Sequence, residues 1–300
     1  MDSEALRTFV AIHHAGGFSN AAESLHRSQP AISRRIALLE EELGAPLFER
    51  AAGAVVLSQA GRVLLPHAER VLAALRDASD ALDDLKDNAG PVSIAAVGTL
   101  ASTNLTGALK RFAAKYPKAD LSLRTATSAE VSDLVRRGDA TIGLRYFDDP
   151  APDIVCHALP PERLAVACAT GHPLAGRTVR SLRALRDQHW LAFPDLYGRR
   201  EASSANVFAQ FLGHGVAEIN WTPVDSLTAQ KRLIEAGFGI ALLPESALEE
   251  ERARKTIATI AVGDLDAANP VFAITRRDAY LSAASHALLD FLKARFSARK

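Results

Sequence analysis

Residues 16–50, GGFSNAAESLHRSQPAISRRIALLEEELGAPLFER, constrain this chain more than any other stretch. Gly16 and Gly17 stop a first amphipathic helix in which Leu6, Phe9, Val10 and Ile12 recur at helical spacing. A second, short helix is predicted next, capped by Ser19 or Asn20 and turning Ala21, Ala22 and Leu25 inward. Ser28 caps a third helix, with Pro30 in its first turn, where no intrahelical N–H is needed. Ala31, Ile32, Ile36, Leu39 and Leu43 make the inward stripe, which leaves Gln29, Ser33, Arg34 and Arg35 outside. Gly44 ends that helix, and residues 54–57 read as the short strand of a wing. Two short helices with a tight connection, the second opening on polar residues and a pair of arginines, can set an N-terminal turn into a DNA major groove.

Charge gives this reading little help. The chain carries 35 basic and 35 acidic residues, so no whole-chain field draws it to nucleic acid. Residues 1–62 hold six arginines against seven acids, and the usual basic footprint of a DNA-binding domain is missing. Positive charge is local, in Arg27, Arg34, Arg35 and Arg50, and the expectation is modest non-specific affinity. Cys156 and Cys168 form no Cys-x-x-Cys pair and read as cysteines of apolar strands. The opening Met-Asp-Ser-Glu lacks a basic segment followed by an apolar run, and no stretch reaches the ~18 apolar residues of a membrane span. The expected location is cytoplasmic, with no membrane partner.

From residue 58 to 88 the pattern is one long helix. Leu64, Ala68, Val71, Leu75, Ala78, Leu82 and Leu85 step alternately by four and three, the 3.5-residue period of a coiled-coil seam. A lone helix of this kind would expose its stripe, so a second copy of the chain is expected against it. Pro66 removes one backbone bond and is expected to bend the helix.

Beyond residue 91 strands alternate with helices, the signature of a mostly parallel sheet with crossover connections. Strands are predicted at 92–97, 121–125 and 141–144, with helices at 105–115 and 131–137. A second run follows: strands 163–168, 190–193 and 217–221, helices 205–212 and 227–236, and strands 240–243 and 256–262. Strand 271–275 and a last helix, 282–296, return to the first lobe. The expected organisation is a multidomain α/β chain: residues 1–58, a linker helix at 59–90, and a two-lobed domain at 91–300. Lobe 1 takes about 91–160 and 266–300, and lobe 2 about 161–265. No Gly-x-Ser-x-Gly elbow, phosphate loop or His-Glu-x-x-His pair is present, and the reading is not an enzyme.

At these residues the chain resembles the LysR-type transcriptional regulators. The specific part is Phe9, Phe18-Ser19, Ala21-Ala22, then Leu25-His26 and the run from Ser28 to Ser33, Leu39-Glu40, Leu43-Gly44 and Leu47-Phe48-Glu49-Arg50. Farther on, Ala236-Gly237-Phe238-Gly239-Ile240 looks like the family's glycine-bounded strand entry. The resemblance implies a winged helix-turn-helix, a dimerising linker helix and an effector domain like periplasmic solute-binding proteins. It implies a DNA-binding regulator modulated by a small molecule between the lobes, assembled as a dimer and commonly a tetramer. Double-stranded DNA and that effector are the expected partners, RNA polymerase is a further candidate, and no cofactor or metal is expected. One departure is the wing, Ala51-Ala52-Gly53-Ala54, which lacks the basic residues many relatives carry.

Candidate contacts follow. Ser28, Gln29 and Pro30 open the reading helix, Ser33 and Arg34 approach base edges, Ser19, Arg35 and Arg50 hold phosphate, and Arg27 beside the helix is a further DNA contact. For the effector, Thr99 and Ser102 follow the first strand and Thr127 and Ser128 the next, where helix N–H groups attract anions. Each hydroxyl could serve instead as a helix cap. Arg145 could pair an effector carboxylate, which makes the effector anionic, or pair with Asp148 or Asp149. Phe193 and Ser226 are the candidates from the second lobe, with Tyr197 and Arg199 as weaker ones.

Overall fold

A computed structural model describes residues 1–51, 53–87, 91–101, 103–194 and 202–297. Helix α1 (Ser3–Ala15) is capped by Asp2, whose Oδ1 accepts from the Ala5 amide at 2.7 Å, and stops at Gly16 with φ of 72°. Helix α2 (Phe18–Ser24) starts directly after Gly17 without a side-chain cap. Ser19 and Asn20 therefore lie inside the helix and cap nothing; the Asn20 amide reaches back to the Ala15 carbonyl at 2.9 Å. Helix α3 (Gln29–Leu43) is capped by Ser28 as expected, and Gly44 closes it in the left-handed conformation. Strands β1 (Phe48–Ala51) and β2 (Ala54–Leu57) pair antiparallel as a wing. Phe9, Ile12, Ala21, Ile32, Ile36, Leu39 and Leu47 form the buried centre. Ala31 and Leu43, expected inside, are exposed, and the buried face of α3 narrows to Ile32, Ile36 and Leu39.

Helix α4 (Gln59–Asp87) runs 29 residues, or about 43 Å at 1.5 Å per residue. Its first turns complete the amino-terminal core through Leu64, Leu65, Ala68 and Leu72, so the boundary expected at residue 58 cuts through one packed unit. Gly61 permits this, since a Cβ there would stand 2.2 Å from the Leu47 carbonyl oxygen. The 3.5-residue seam is consequently split. Ala68 is buried at home, whereas Val71, Leu75, Leu82 and Leu85 are 44, 50, 60 and 83% exposed. Pro66 lies within the helix without ending it.

Strands β3 (Val92–Val97), β4 (Leu121–Ala126) and β5 (Ile142–Tyr146) pair in parallel, linked by α5 (Thr103–Lys115) and α6 (Ser128–Arg136). Strand β6 (Ile154–Ala169) is the main difference from expectation. It runs 16 residues through the boundary expected at 160/161. Short β7 (Thr178–Val179) and β8 (Trp190–Ala192) follow, then α7 (Ala202–Gly213), β9 (Trp221–Pro223), α8 (Leu227–Glu235) and β10 (Ala241–Pro244). Helix α9 (Glu249–Ala253), β11 (Ile257–Val262), β12 (Ala268–Arg276) and α10 (Ala283–Ser297) complete the described chain. The sheet order is β4-β3-β5-β12-β6-β11-β7, with β10 also on β6. The first half of β6 pairs with β12 in lobe 1 and its second half with β10 and β11 in lobe 2. Two lobes thus share one strand. Strand β9 begins where the expected 217–221 strand would end, because its parallel ladder with β8 sets Trp190 opposite Trp221. Helix α10 returns to lobe 1, packing Leu288 and Leu292 into the core with Leu105 and Phe112.

Candidate functional site

The opening turns of α3 stand clear of the protein. Ser28, Gln29, Pro30, Ser33 and Arg34 are all exposed, and the buried side of the helix is Ile32, Ile36 and Leu39. Among the described residues Arg34 forms no hydrogen bond or ion pair, so its guanidinium is available to a base edge. Arg27, in the turn before α3, Ser19 on α2 and Arg50 on β1 are exposed on the same unit. Arg35 differs from expectation. Its Nη1 lies 3.2 Å from Glu4 of α1, an ion pair exposed on both sides and therefore weak enough for a phosphate to displace.

Glu40, one of the seven acids of residues 1–62, builds the wing. Its Oε1 accepts from the backbone N–H groups of Leu47 and Phe48 at 2.6 and 3.3 Å, fastening the start of β1 to the reading helix. The acidic balance of this domain is thus partly structural. A carboxylate seven residues ahead of a Leu-Phe pair was the available signal.

In the sheet domain, Thr99, Thr127 and Ser128 come together at the carboxyl ends of β3 and β4, where ligands of such sheets bind. Their hydroxyls are already engaged to different degrees. Thr127 caps α6 in a reciprocal box with Glu130, whose carboxyl is held below its usual range by the Thr127 amide and hydroxyl. Thr99 is buried, its Oγ1 2.9 Å from the Tyr146 hydroxyl. Ser226 caps α8 by accepting from the Ala229 amide, and Phe193 follows β8 half-buried. Ser102, Tyr197 and Arg199 lie outside the described residues.

Arg145 finds its carboxylate within the chain. Its Nη1 donates to Asp149 Oδ2 at 2.7 Å and to Ser132 Oγ at 2.6 Å, and Arg136 reaches the same Asp149 oxygen at 3.3 Å. Burial alone would raise the Asp149 carboxyl, but bonds from Ser132 and the Ala151 amide and the two arginines hold it low. Of the two alternatives for Arg145, the internal pair is the one present.

A buried polar chain joins the lobes, and sequence alone gave no sign of it. Tyr146, ending β5, donates to Glu162 Oε2 at 2.6 Å, and Ser246, in the turn after β10, donates to Oε1 at 2.5 Å. Burial pushes the Glu162 carboxyl up, against the pull of those two donors. It pushes the Tyr146 hydroxyl well up too, reinforced by the Glu162 charge. One carboxylate on the shared strand therefore receives one donor from each lobe.

Residues 3–62 match the family model for the bacterial regulatory helix-turn-helix protein, lysR family, and residues 86–297 match the LysR substrate binding domain. The chain belongs to the LysR family of transcriptional regulators. It is similar to the transcriptional regulator CbbR of Rhodospirillum rubrum, 29% identical over 96% of this chain and 95% of that protein. It is 32% identical to the transcriptional dual regulator GltC of Bacillus subtilis (strain 168), covering 86% of this chain and 85% of that one. Among solved structures, the LysR family regulator CbnR superposes with a TM-score of 0.67 at 25% identity, covering 98% of this chain and 99% of that one. CbnR bound to its target DNA superposes at 0.66 and 26%, covering 98% and 100%. This LysR-family chain is accordingly a DNA-binding transcriptional regulator with an effector-binding domain. Among its described residues no helix is long and apolar enough to cross a membrane.

Proposed function

We propose that this regulator reads its operator with Gln29, Ser33 and Arg34, holds phosphate with Ser19, Arg27 and Arg50, and answers to a small molecule bound at the strand ends of its two-lobed domain. Arg34, exposed in the second turn of α3 and unpaired among the described residues, carries the reading. A guanidinium in that position can pair guanine through two hydrogen bonds. Ser28 and Pro30 act as the frame of the helix end, and Arg35 contributes to phosphate once released from Glu4.

The proposed effector is a small anion contacting Thr99, Thr127, Ser128, Phe193 and Ser226. Support for its charge comes from the N–H groups at the N-terminal ends of α6 and α8, since Arg145 is neutralised by Asp149. The working unit is a homodimer closed over Val71, Leu75, Leu82 and Leu85, which pairs into a tetramer. It acts in the cytoplasm, without catalysis, on promoters served by RNA polymerase; the relatives' role as transcriptional regulators supports this.

Gel shifts on duplex from upstream of the chain's own gene test the reading, with and without Arg34→Ala. Loss of the shifted band in the variant is expected, and an unchanged band removes Arg34 from the site.

A further inference from the structure

Helix α6 has one end at the effector edge and the other against the DNA reader. It begins at Thr127 and Ser128 and is clamped along its length, with Val131, Leu134 and Val135 buried against the sheet. Nine residues at 1.5 Å each make a rod of about 13 Å. Arg137 terminates it, and the turn that follows touches both other parts of the chain. At Gly138, φ is 73° and a Cβ would meet the Ala73 Cβ of α4 at 3.3 Å, so the turn lies directly on the linker helix. Arg76 of α4 donates to the Arg137 carbonyl and lies 3.6 Å from Asp139.

The side chain of Arg137 goes farther. Its Nε is fixed by Asp139 at 3.0 Å, and its Nη1 lies 3.1 Å from Nδ1 and 3.2 Å from Nε2 of His14, in the last turn of α1. His14 Nε2 in turn lies 2.9 Å from Glu69 of α4. The imidazole of His14 thus stands between the Arg137 guanidinium and the Glu69 carboxylate. A group in lobe 1 thereby holds a residue of the reading domain and, through it, the linker.

We propose that Arg137 is a positioning residue for DNA recognition: α6 transmits displacement between the effector edge and α1 through the Arg137–His14 bond. This rests on the placement of the effector at Thr127 and Ser128. Coupling is reciprocal, so DNA bound at α3 must be felt along α6 even when no effector is present.

Hydrogen exchange by mass spectrometry on the full chain, alone and bound to duplex from upstream of its own gene, tests this. Binding is verified by gel shift in the same buffer. Exchange of the 128–136 peptide is expected to change at least about twofold when DNA binds. Arg137→Ala and His14→Ala should each abolish that response while the duplex remains bound. Arg137→Lys, which keeps a donor toward His14, should restore part of it. Tyr280→Phe, which removes a lobe 1 bond to the linker (2.7 Å to Asp84) without touching the reader, should leave it intact. A wild-type response that persists in both alanine variants overturns the proposal, as does an α6 peptide indifferent to bound DNA. A wild-type chain that fails to shift the duplex overturns the reading assignment first, and this proposal with it.

Discussion

A single guanidinium nitrogen of Arg276, Nη2, lies 2.8 and 2.6 Å from the two carboxylate oxygens of Asp77. It ties the end of β12 to the linker helix, and both side chains are largely out of solvent, so salt screens the pair less than a surface one. Arg276→Ala leaves Asp77 without that donor and should cost about 1–3 kcal/mol in denaturant unfolding. Unchanged stability would show that lobe 1 does not depend on this tie.

Arg34→Ala should lower specific operator affinity by roughly 10- to 100-fold, the equivalent of about 1–3 kcal/mol for one bidentate base contact. Thermal stability should hold, because the side chain is exposed and forms no hydrogen bond or ion pair among the described residues. Arg35→Ala should weaken binding less and equally across sequences, since Glu4 already competes for it. Fluorescence anisotropy with specific and scrambled duplexes separates the two effects.

Glu162 gives a pH dependence with a definite sign. Burial raises its carboxyl above the unfolded value, so the folded chain binds that proton more tightly. The resulting stability is fully present below the unfolded value near 4.5 and is lost as pH rises through the raised one. Glu162→Gln carries no such charge. Its melting temperature relative to wild type should therefore be higher at pH 8 than at pH 5. Parallel curves for the two proteins would remove Glu162 as an ionised buried group.

Cys168 is fully buried in lobe 2, and burial pushes its thiol up to about 11. At pH 8 it is protonated and out of reach of solvent. In the native protein it should resist a thiol reagent and react fully after unfolding in guanidinium. Rapid labelling of Cys168 in the folded chain would contradict the core described for that lobe.

The exposed half of the α4 seam makes an assembly prediction. Leu75→Asp with Leu82→Asp should break the proposed dimer contact along α4 and lower the mass of the assembly by light scattering, with the amino-terminal core intact. That core uses Ala68 and Leu72 instead. A dimer that survives both substitutions would place the contact elsewhere.

What the residues alone decided is local and periodic. The inward faces of α1 and α3, the Ser28 cap, the left-handed Gly16 and Gly44, the 3.5-residue step of α4 and the alternation of strand and helix all follow from neighbours within a few turns. That was enough for the family and the two-lobed class. Whether Arg145 meets a ligand or Asp149 was an open pair of alternatives until the fold set their distance. The contacts that tie the parts of the chain together lie far apart in the sequence. Arg137 and His14 are separated by 123 residues, Ser246 and Glu162 by 84, and Arg276 and Asp77 by 199. No propensity or spacing encodes such pairs. They exist because β6 runs unbroken through both lobes and because lobe 1 rests on the linker helix. Packing alone brings those polar groups against one another.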